Sequence, residues 1–379
     1  MTDLLFYGDT ERSYAMRHEL PLSIGDPFLL GIIGGRLHIT VSPLESSRIE
    51  EVAPDAVYHD LADLGFQELR ESGLKMHQLD LELVSRAAAA MGVAEAVIDP
   101  EMPVAVADRL RADGIVLRPD HDAIASRRRV KSPAELAGMR RAQAAAESGM
   151  RAAGALLAQS VPAGKGLLHD GKQLTAEMVR AELRDACRRS GAPAPPDVIV
   201  SSLWQGSGGH DPGSGPLPAD LPIVIDLWPR DEESGCWADM TRTFVVGEVT
   251  GGMRVLESVV REALERSRAA VRPGITGREL HALACEVFEL AGFPTQRTNP
   301  GIDPEEGFQF SLGHGVGLAV HEDPALGQAG HDPLVAGDVI AIEPGLWQRE
   351  IGEVRFEDLL LVTEDGCETL TSYPYQLTP

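Results

Sequence analysis

The sequence predicts two domains: a small α/β domain over residues 1–130 and a larger domain of helices and strands over residues 131–379. Three observations carry this prediction. The chain has 379 residues, more than one hydrophobic core usually serves. A basic run, SRRRVKSPAEL, interrupts it near residue 130 and leads into an Ala-rich helix. Beyond that run, two stretches echo each other, VPAGKG…LTAEMVRAELRDACRRSGAP from Val161 and VRPGITGRELHALACEVFELAGFP from Val271.

The elements follow in order. Pro27–Val41, PFLLGIIGGRLHITV, predicts a hairpin turning at Gly34-Gly35. Leu79–Met91 predicts a helix, with Gly92 at the position where a glycine ends helices. VAEAVID and GIVLRP predict short strands around a helix near Val104–Ala112. No catalytic constellation is evident in this first part. At the domain boundary the Arg run reads as a solvated linker. Ser132 is an N-cap, Pro133 suits the first helical position and Glu135 completes a capping box, for a helix reaching about Gln159. In the echoed segments Thr175 and Thr276 each precede a helix. IVIDLWP follows the first copy and VIAIEPGLW the second, so each copy delivers an apolar strand with one acid, Asp226 or Glu343.

Bulk composition narrows the function. A formal net charge of -24 argues against a nucleic-acid or anionic-membrane partner. Cys187, Cys236, Cys285 and Cys367 lie far apart without CxxC spacing, so free thiols of a reducing compartment are expected. The opening MTDLLFYGDTERSY has no basic and apolar leader pattern, and no stretch approaches the ~18 apolar residues of a membrane span. A cytoplasmic location is the expectation.

The chemistry lies in the acids. Asp226 and Asp239 sit in IVIDLWPRDEESGCWADMTRTF, among residues that otherwise read as buried strand. A turn centred on Glu232-Glu233 would set Asp226 opposite Asp239 and Trp228 opposite Trp237, with Thr241 and Thr243 on the face of Asp239. Opposed ionised carboxylates repel, so a cation or a shared proton is needed. The construction recurs in IEPGLWQREIGEVRFEDLLLVTEDG, where a turn centred on Glu350 pairs Glu343 with Glu357 and puts Arg355 on the same face. Between the two pairs, SLGHGVGLAVHEDP offers His314 and His321 among glycines. Four carboxylates and one imidazole match two divalent cations, Mn²⁺, Co²⁺, Fe²⁺ or Zn²⁺, in a hydrolytic arrangement.

These motifs resemble the pita-bread metallopeptidases, which include methionine aminopeptidase, prolidase (Xaa-Pro dipeptidase) and aminopeptidase P, with creatinase as a metal-free relative. RxKSPxE, ADMTRTF, HGVGLAVHEDP, IEPG and VRFED occur in family order across essentially the whole chain. The resemblance implies an α/β N-terminal domain of the creatinase/prolidase type and an α+β pita-bread catalytic domain with an internal pseudo-twofold. It also implies roles. Asp226 would chelate one metal, Asp239 and Glu357 would bridge, and His314 and Glu343 would hold the other. Glu343 would serve as general base. His321 would contact the substrate amide, and His210 in GSGGHDPGSG would lie near the leaving group. Arg355 would orient Glu357 and nearby carboxylates. The implied activity is that of a dinuclear exopeptidase on short peptides, with a homodimer as the assembly.

Two departures from the family pattern bear on specificity. Prolidase-type sequences usually carry histidine four residues before the ligand histidine, whereas this chain has Phe310. The segment between the aspartates is about two residues longer than usual. It adds Arg230 and a run of acids at a possible pocket rim, and Arg230 would be placed to clamp a substrate carboxylate. An exopeptidase acting at the C-terminus without strict proline preference is therefore the alternative. A creatinase-like metal-free C–N hydrolase and a catalytically silent binding protein are more remote, since all five ligands are present.

Overall fold

The structure, a computed structural model, describes residues 2–203, 211–300, 303 and 306–379. The chain divides into two compact units, Met1–Arg128 and Arg129–Pro379.

In the first unit a six-stranded sheet runs in the order Val57–Asp60, Arg36–Val41, Phe28–Ile33, Leu4–Gly8, Glu95–Ile98, Val116–Pro119. Ile33 pairs with Arg36 across the glycine turn. Gly34 and Gly35 take φ of 57° and 81°, the left-handed pair a two-residue hairpin requires. Side chains alternate between the two faces. Leu5 and Leu29 pack with Val84, Ala88 and Leu110 on one side, while Leu4, Phe6, Leu30 and Ile32 meet Met16, Leu20, Ile49 and Ile124 on the other. The helix ending at Gly92 begins three residues before its expected start, at Met76. There the Gln78 side chain accepts a hydrogen bond from the Lys75 N–H at 3.1 Å and caps an otherwise polar first turn.

The second unit opens with the predicted cap. Glu135 N–H donates to Ser132 Oγ, and Ser132 N–H to Glu135 Oε2 at 2.7 Å, starting the helix Pro133–Ala158. The basic run before it is not the solvated linker that its charge suggests. His121–Arg129 is helical. Arg129 donates to both carboxylate oxygens of Asp338, at 2.9 and 2.6 Å, and Asp338 is fully buried. Lys131 pairs with Glu322, their side chains 2% and 3% exposed. A buried cation such as Lys131 must be paired, and both it and the half-buried Arg129 meet a carboxylate some two hundred residues away.

The internal echo is structural. Thr175 accepts from Met178 N–H and starts Ala176–Arg189; Thr276 accepts from Glu279 N–H and starts Gly277–Leu290. Both helices have 14 residues, and both threonines bridge to a proline, Thr175 to Pro216 and Thr276 to Pro333. Each helix belongs to a core of its own, one built on Ala146, Met150, Val179 and Leu183, the other on Leu256, Val260, Leu280 and Phe288. The first half contributes an antiparallel sheet of Ile199–Ser202, Ile223–Leu227 and Met240–Phe244. The second contributes a five-stranded sheet in the order Glu322–Leu326, Gly313–Gly315, Val339–Ile342, Asp358–Val362, Cys367–Thr369, with the hairpin Gly345–Gln348/Gly352–Arg355 beside it. Among the described residues no helix is long and apolar enough to cross a membrane.

Candidate metal centre

Strands Ile223–Leu227 and Met240–Phe244 are buried along their whole length, so Asp226 is an acid inside the core. Its cross-strand partner is Thr241 rather than Asp239, and Trp237 bridges to Arg230 rather than facing Trp228. The expected pairing is off by two residues because the turn closes differently. Asp231 accepts from Ser234 N–H at 2.8 Å and from Ser234 Oγ at 2.7 Å, and its N–H donates to Cys236 O. An even shift leaves every side chain on its predicted face, so Asp226 and Asp239 remain neighbours, diagonal instead of opposite.

The second hairpin has its expected register. Ile342 pairs with Asp358 and Gly345 with Arg355, on either side of Glu343 and Glu357. Glu350, at its centre, takes a φ of 75°. His314 lies on the neighbouring strand opposite Ala341, and the His321 ring meets it edge-on at 4.2 Å between centroids.

These residues converge. Ligand atoms of Asp239, His314 and Glu357 lie within 4.8 Å of one another. His314 Nε2 is 3.7 Å from Asp239 Oδ2 and 3.7 Å from Glu343 Oε1. Asp226 is reached through Arg355, whose Nη2 is 3.0 Å from Asp226 Oδ2 while its Nη1 is 3.5 Å from Glu343 Oε2. Burial, then the charges of Asp226 and Glu343, raise Asp239 well above the usual carboxylate range. Burial and the charges of Asp239, Glu343 and Asp226 do the same to Glu357. Burial pushes Glu343 up to about 8, with Arg355 opposing and Asp226 adding to it. Burial and the neighbouring His321 push His314 down to about 4, favouring the neutral imidazole that binds metals. Burial alone would lower the Arg355 guanidinium, yet Glu353, Asp226, Glu343 and Glu357 around it raise it. Among the described residues, buried Asp226 Oδ1 has no hydrogen-bond partner. Among those residues, too, one guanidinium stands beside five carboxylates, a deficit of positive charge, and an orphaned oxygen in an oxygen-rich set with an imidazole fits divalent cations.

A supporting layer holds the acids in place. Thr241 Oγ1 donates to Glu357 Oε2 at 2.8 Å, and Glu357 N–H donates to Thr241 O. Thr243 Oγ1 exchanges two 3.0 Å hydrogen bonds with the Arg355 backbone. Thus strand Met240–Phe244 of the first half is tied to the second half by the two threonines on one face. Arg242, on the opposite face and 1% exposed, donates to Thr241 O, Glu357 O, Asp358 Oδ1, Tyr373 O and Pro374 O. Arg242 and Glu353 likewise carry charge into strands buried along their whole length; for Arg242, in ADMTRTF, the signal is the one that singles out Asp239, whereas Glu353 in the charged strand GEVR has none in the sequence.

The specificity candidates sit differently. Phe310 packs edge-on to Phe308 at 5.0 Å and lies 6.0 Å from the Arg355 guanidinium, so it walls the centre. Arg230 is engaged within its own turn, its Nε donating to Gly235 O at 2.8 Å and its guanidinium 5.5 Å from the Trp237 ring. The acids of that turn do not all form a rim, since Asp231 is buried and doubly hydrogen-bonded by Arg141. His210 lies outside the described residues.

The model of metallopeptidase family M24 matches residues 137–364. The chain belongs to that family. The Xaa-Pro dipeptidase of Pyrococcus furiosus is 35% identical over 202 residues, 52% of this chain and 54% of that protein. A probable dipeptidase, PepE, of Mycobacterium tuberculosis is 32% identical over 204 residues, 52% of this chain and 50% of that protein. These matches thus span about half the length of the curated relatives. Among solved structures, the prolidase of Pyrococcus horikoshii OT3 shares the fold over 100% of this chain and 95% of its own, with a TM-score of 0.73 at 24% identity. An Xaa-Pro dipeptidase from Bacillus anthracis covers 100% and 94%, with a TM-score of 0.78 at 21% identity. The fold is therefore the one the motifs imply, an α/β N-terminal domain and a pita-bread catalytic domain.

Proposed function

We propose that the chain is a dinuclear metal-dependent exopeptidase for short peptides, of the Xaa-Pro dipeptidase or aminopeptidase type. The catalytic domain would occupy 131–379 and the N-terminal domain 1–130. The observation that carries the reading is the convergence of Asp239, His314 and Glu357 within 4.8 Å beside Asp226 and Glu343. Asp226, Asp239, His314, Glu343 and Glu357 would hold two divalent ions, Mn²⁺, Co²⁺ or Zn²⁺. Such ions supply Lewis-acid polarisation of the scissile carbonyl and a more acidic water.

The protein's own groups do the rest. Glu343, held on its outer side by Arg355, takes the proton of the attacking water and returns it to the departing nitrogen. His321, exposed beside His314, donates to the substrate carbonyl as negative charge develops, a contribution of about 3–4 kcal/mol at comparable sites. Arg355 fixes Asp226 and Glu343 relative to each other. His210 remains the candidate for the leaving group. Names of relatives support the substrate class: several are called Xaa-Pro dipeptidase or dipeptidase. A cytoplasmic homodimer completes the reading; the four free cysteines support the compartment, and light scattering would test the assembly.

The test is product identification by mass spectrometry, with Mn²⁺-loaded and chelated protein, on dipeptides and short peptides with and without proline and with free or blocked ends. Chelator-sensitive release of the residue preceding proline is expected; cleavage of no peptide would overturn the reading. A second reading, C-terminal cleavage indifferent to proline, is favoured by Phe310 standing against Arg355. It predicts a raised KM for free-acid peptides in Arg230→Ala, and equal KM for free and amidated peptides would remove Arg230 from the site.

A further inference from the structure

We infer that the buried Lys131–Glu322 ion pair is a positioning device for His321; this rests on the peptidase reading above. Gly315 pairs with Glu322 across strands Gly313–Gly315 and Glu322–Leu326. The chain between them is an excursion that leaves and rejoins the sheet at one rung. His321 is its last residue. The residue is exposed and its ring meets His314 edge-on, and the backbone beneath it sets where that ring starts.

That backbone is held from two sides. On one side the Trp237 N–H donates to Gly317 O at 2.8 Å and its indole N–H to Leu318 O at 3.0 Å. On the other stands the ion pair, whose Glu322 Oε2 accepts from Ala319 N–H at 3.3 Å. The pair occupies the space beneath the excursion: a Cβ on Gly317 would lie 2.4 Å from Glu322 Oε1 and 2.9 Å from Lys131 Nζ. Gly317 is thus glycine to admit the ion pair. Lys131 itself is anchored, since its N–H donates to Gly337 O and it directly precedes the cap of the 26-residue helix Pro133–Ala158. Glu135 of that cap is also buried, its carboxylate accepting from the Ser132 N–H. Removing either partner strands a buried charge, and the structure must relax around it. His321 is covalently next to Glu322, so that relaxation reaches its backbone directly.

The experiment is a double-mutant cycle on the full-length, Mn²⁺-loaded protein. Glu322→Gln should lower kcat on the order of tenfold to a hundredfold, the scale of a small misplacement of a catalytic group, with KM and bound Mn²⁺ unchanged. In the His321→Ala background the same change should cost less than about twofold. Lys131→Met should match Glu322→Gln, and Lys131→Arg should recover most of kcat. Equal losses in both backgrounds, or no loss in either, would overturn the inference. A second readout does not need turnover: carbethoxylation of His321 by diethyl pyrocarbonate, mapped by mass spectrometry, should change rate in Glu322→Gln. If the parent protein cleaves no peptide, the peptidase reading fails and this labelling alone decides the positioning; an unchanged His321 rate refutes it. Should Glu322→Gln not fold, Gly317→Ala, which crowds both partners, reports the same outcome in both assays.

Discussion

Replacing Thr241 with valine removes one hydroxyl and keeps the β-branched shape. That hydroxyl donates to Glu357 Oε2 at 2.8 Å, and the two residues are 0% and 1% exposed. Water therefore cannot take its place. A hydrogen bond to a charged partner contributes about 1.5–3 kcal/mol. The backbone bond from Glu357 N–H to Thr241 O survives the change, so the fold should persist while the carboxylate loses both its orientation and a donor to its anionic form. Converted at 1.4 kcal/mol per decade, the loss is about 10- to 100-fold in Mn²⁺ affinity, the scale seen when outer partners of ligands are removed. Competition titration of Mn²⁺ against a chelating dye measures it, with circular dichroism as the control for folding. Excess Mn²⁺ should restore kcat. Affinity within about twofold of the parent, or activity that saturating Mn²⁺ does not recover, would refute the reasoning.

Arg242→Leu should destabilise the protein by about 3–5 kcal/mol, because Asp358 loses its closest cation and four backbone carbonyls each lose a donor; urea denaturation reads this, and a loss below about 1 kcal/mol contradicts it. Arg355→Met should cost a similar amount, since Asp226, Glu343 and Glu353 lose their shared cation. Saturating Mn²⁺ should recover part of that cost, and an equal loss with and without Mn²⁺ would show that the guanidinium does not share charge balance with metal. Phe310→His should raise the preference for Xaa-Pro over Xaa-Ala dipeptides, measured as the ratio of kcat/KM; an unchanged ratio removes this position from specificity.

Much of this protein is legible in its sequence because the causes are local. Ser132, Thr175 and Thr276 announce helices by hydrogen bonds spanning three residues, and the glycine pair at 34–35 sets a hairpin by its own φ angles. The acids could be singled out because a carboxylate inside an apolar strand needs a partner wherever that strand ends up. Even the misread register around Asp226 kept the correct face, since period two forgives even shifts.

What the sequence could not supply were contacts between distant parts of the chain. The turn after Asp226 closes on Asp231, which is steadied by Arg141 ninety positions earlier. The basic run near residue 130 looked solvated because its partners, Asp338 and Glu322, are remote in sequence. Local patterns decided which groups are charged and which strands are buried. Tertiary packing decided which opposite charge each one meets, because in a low-dielectric interior that choice depends on distance through space and not along the chain.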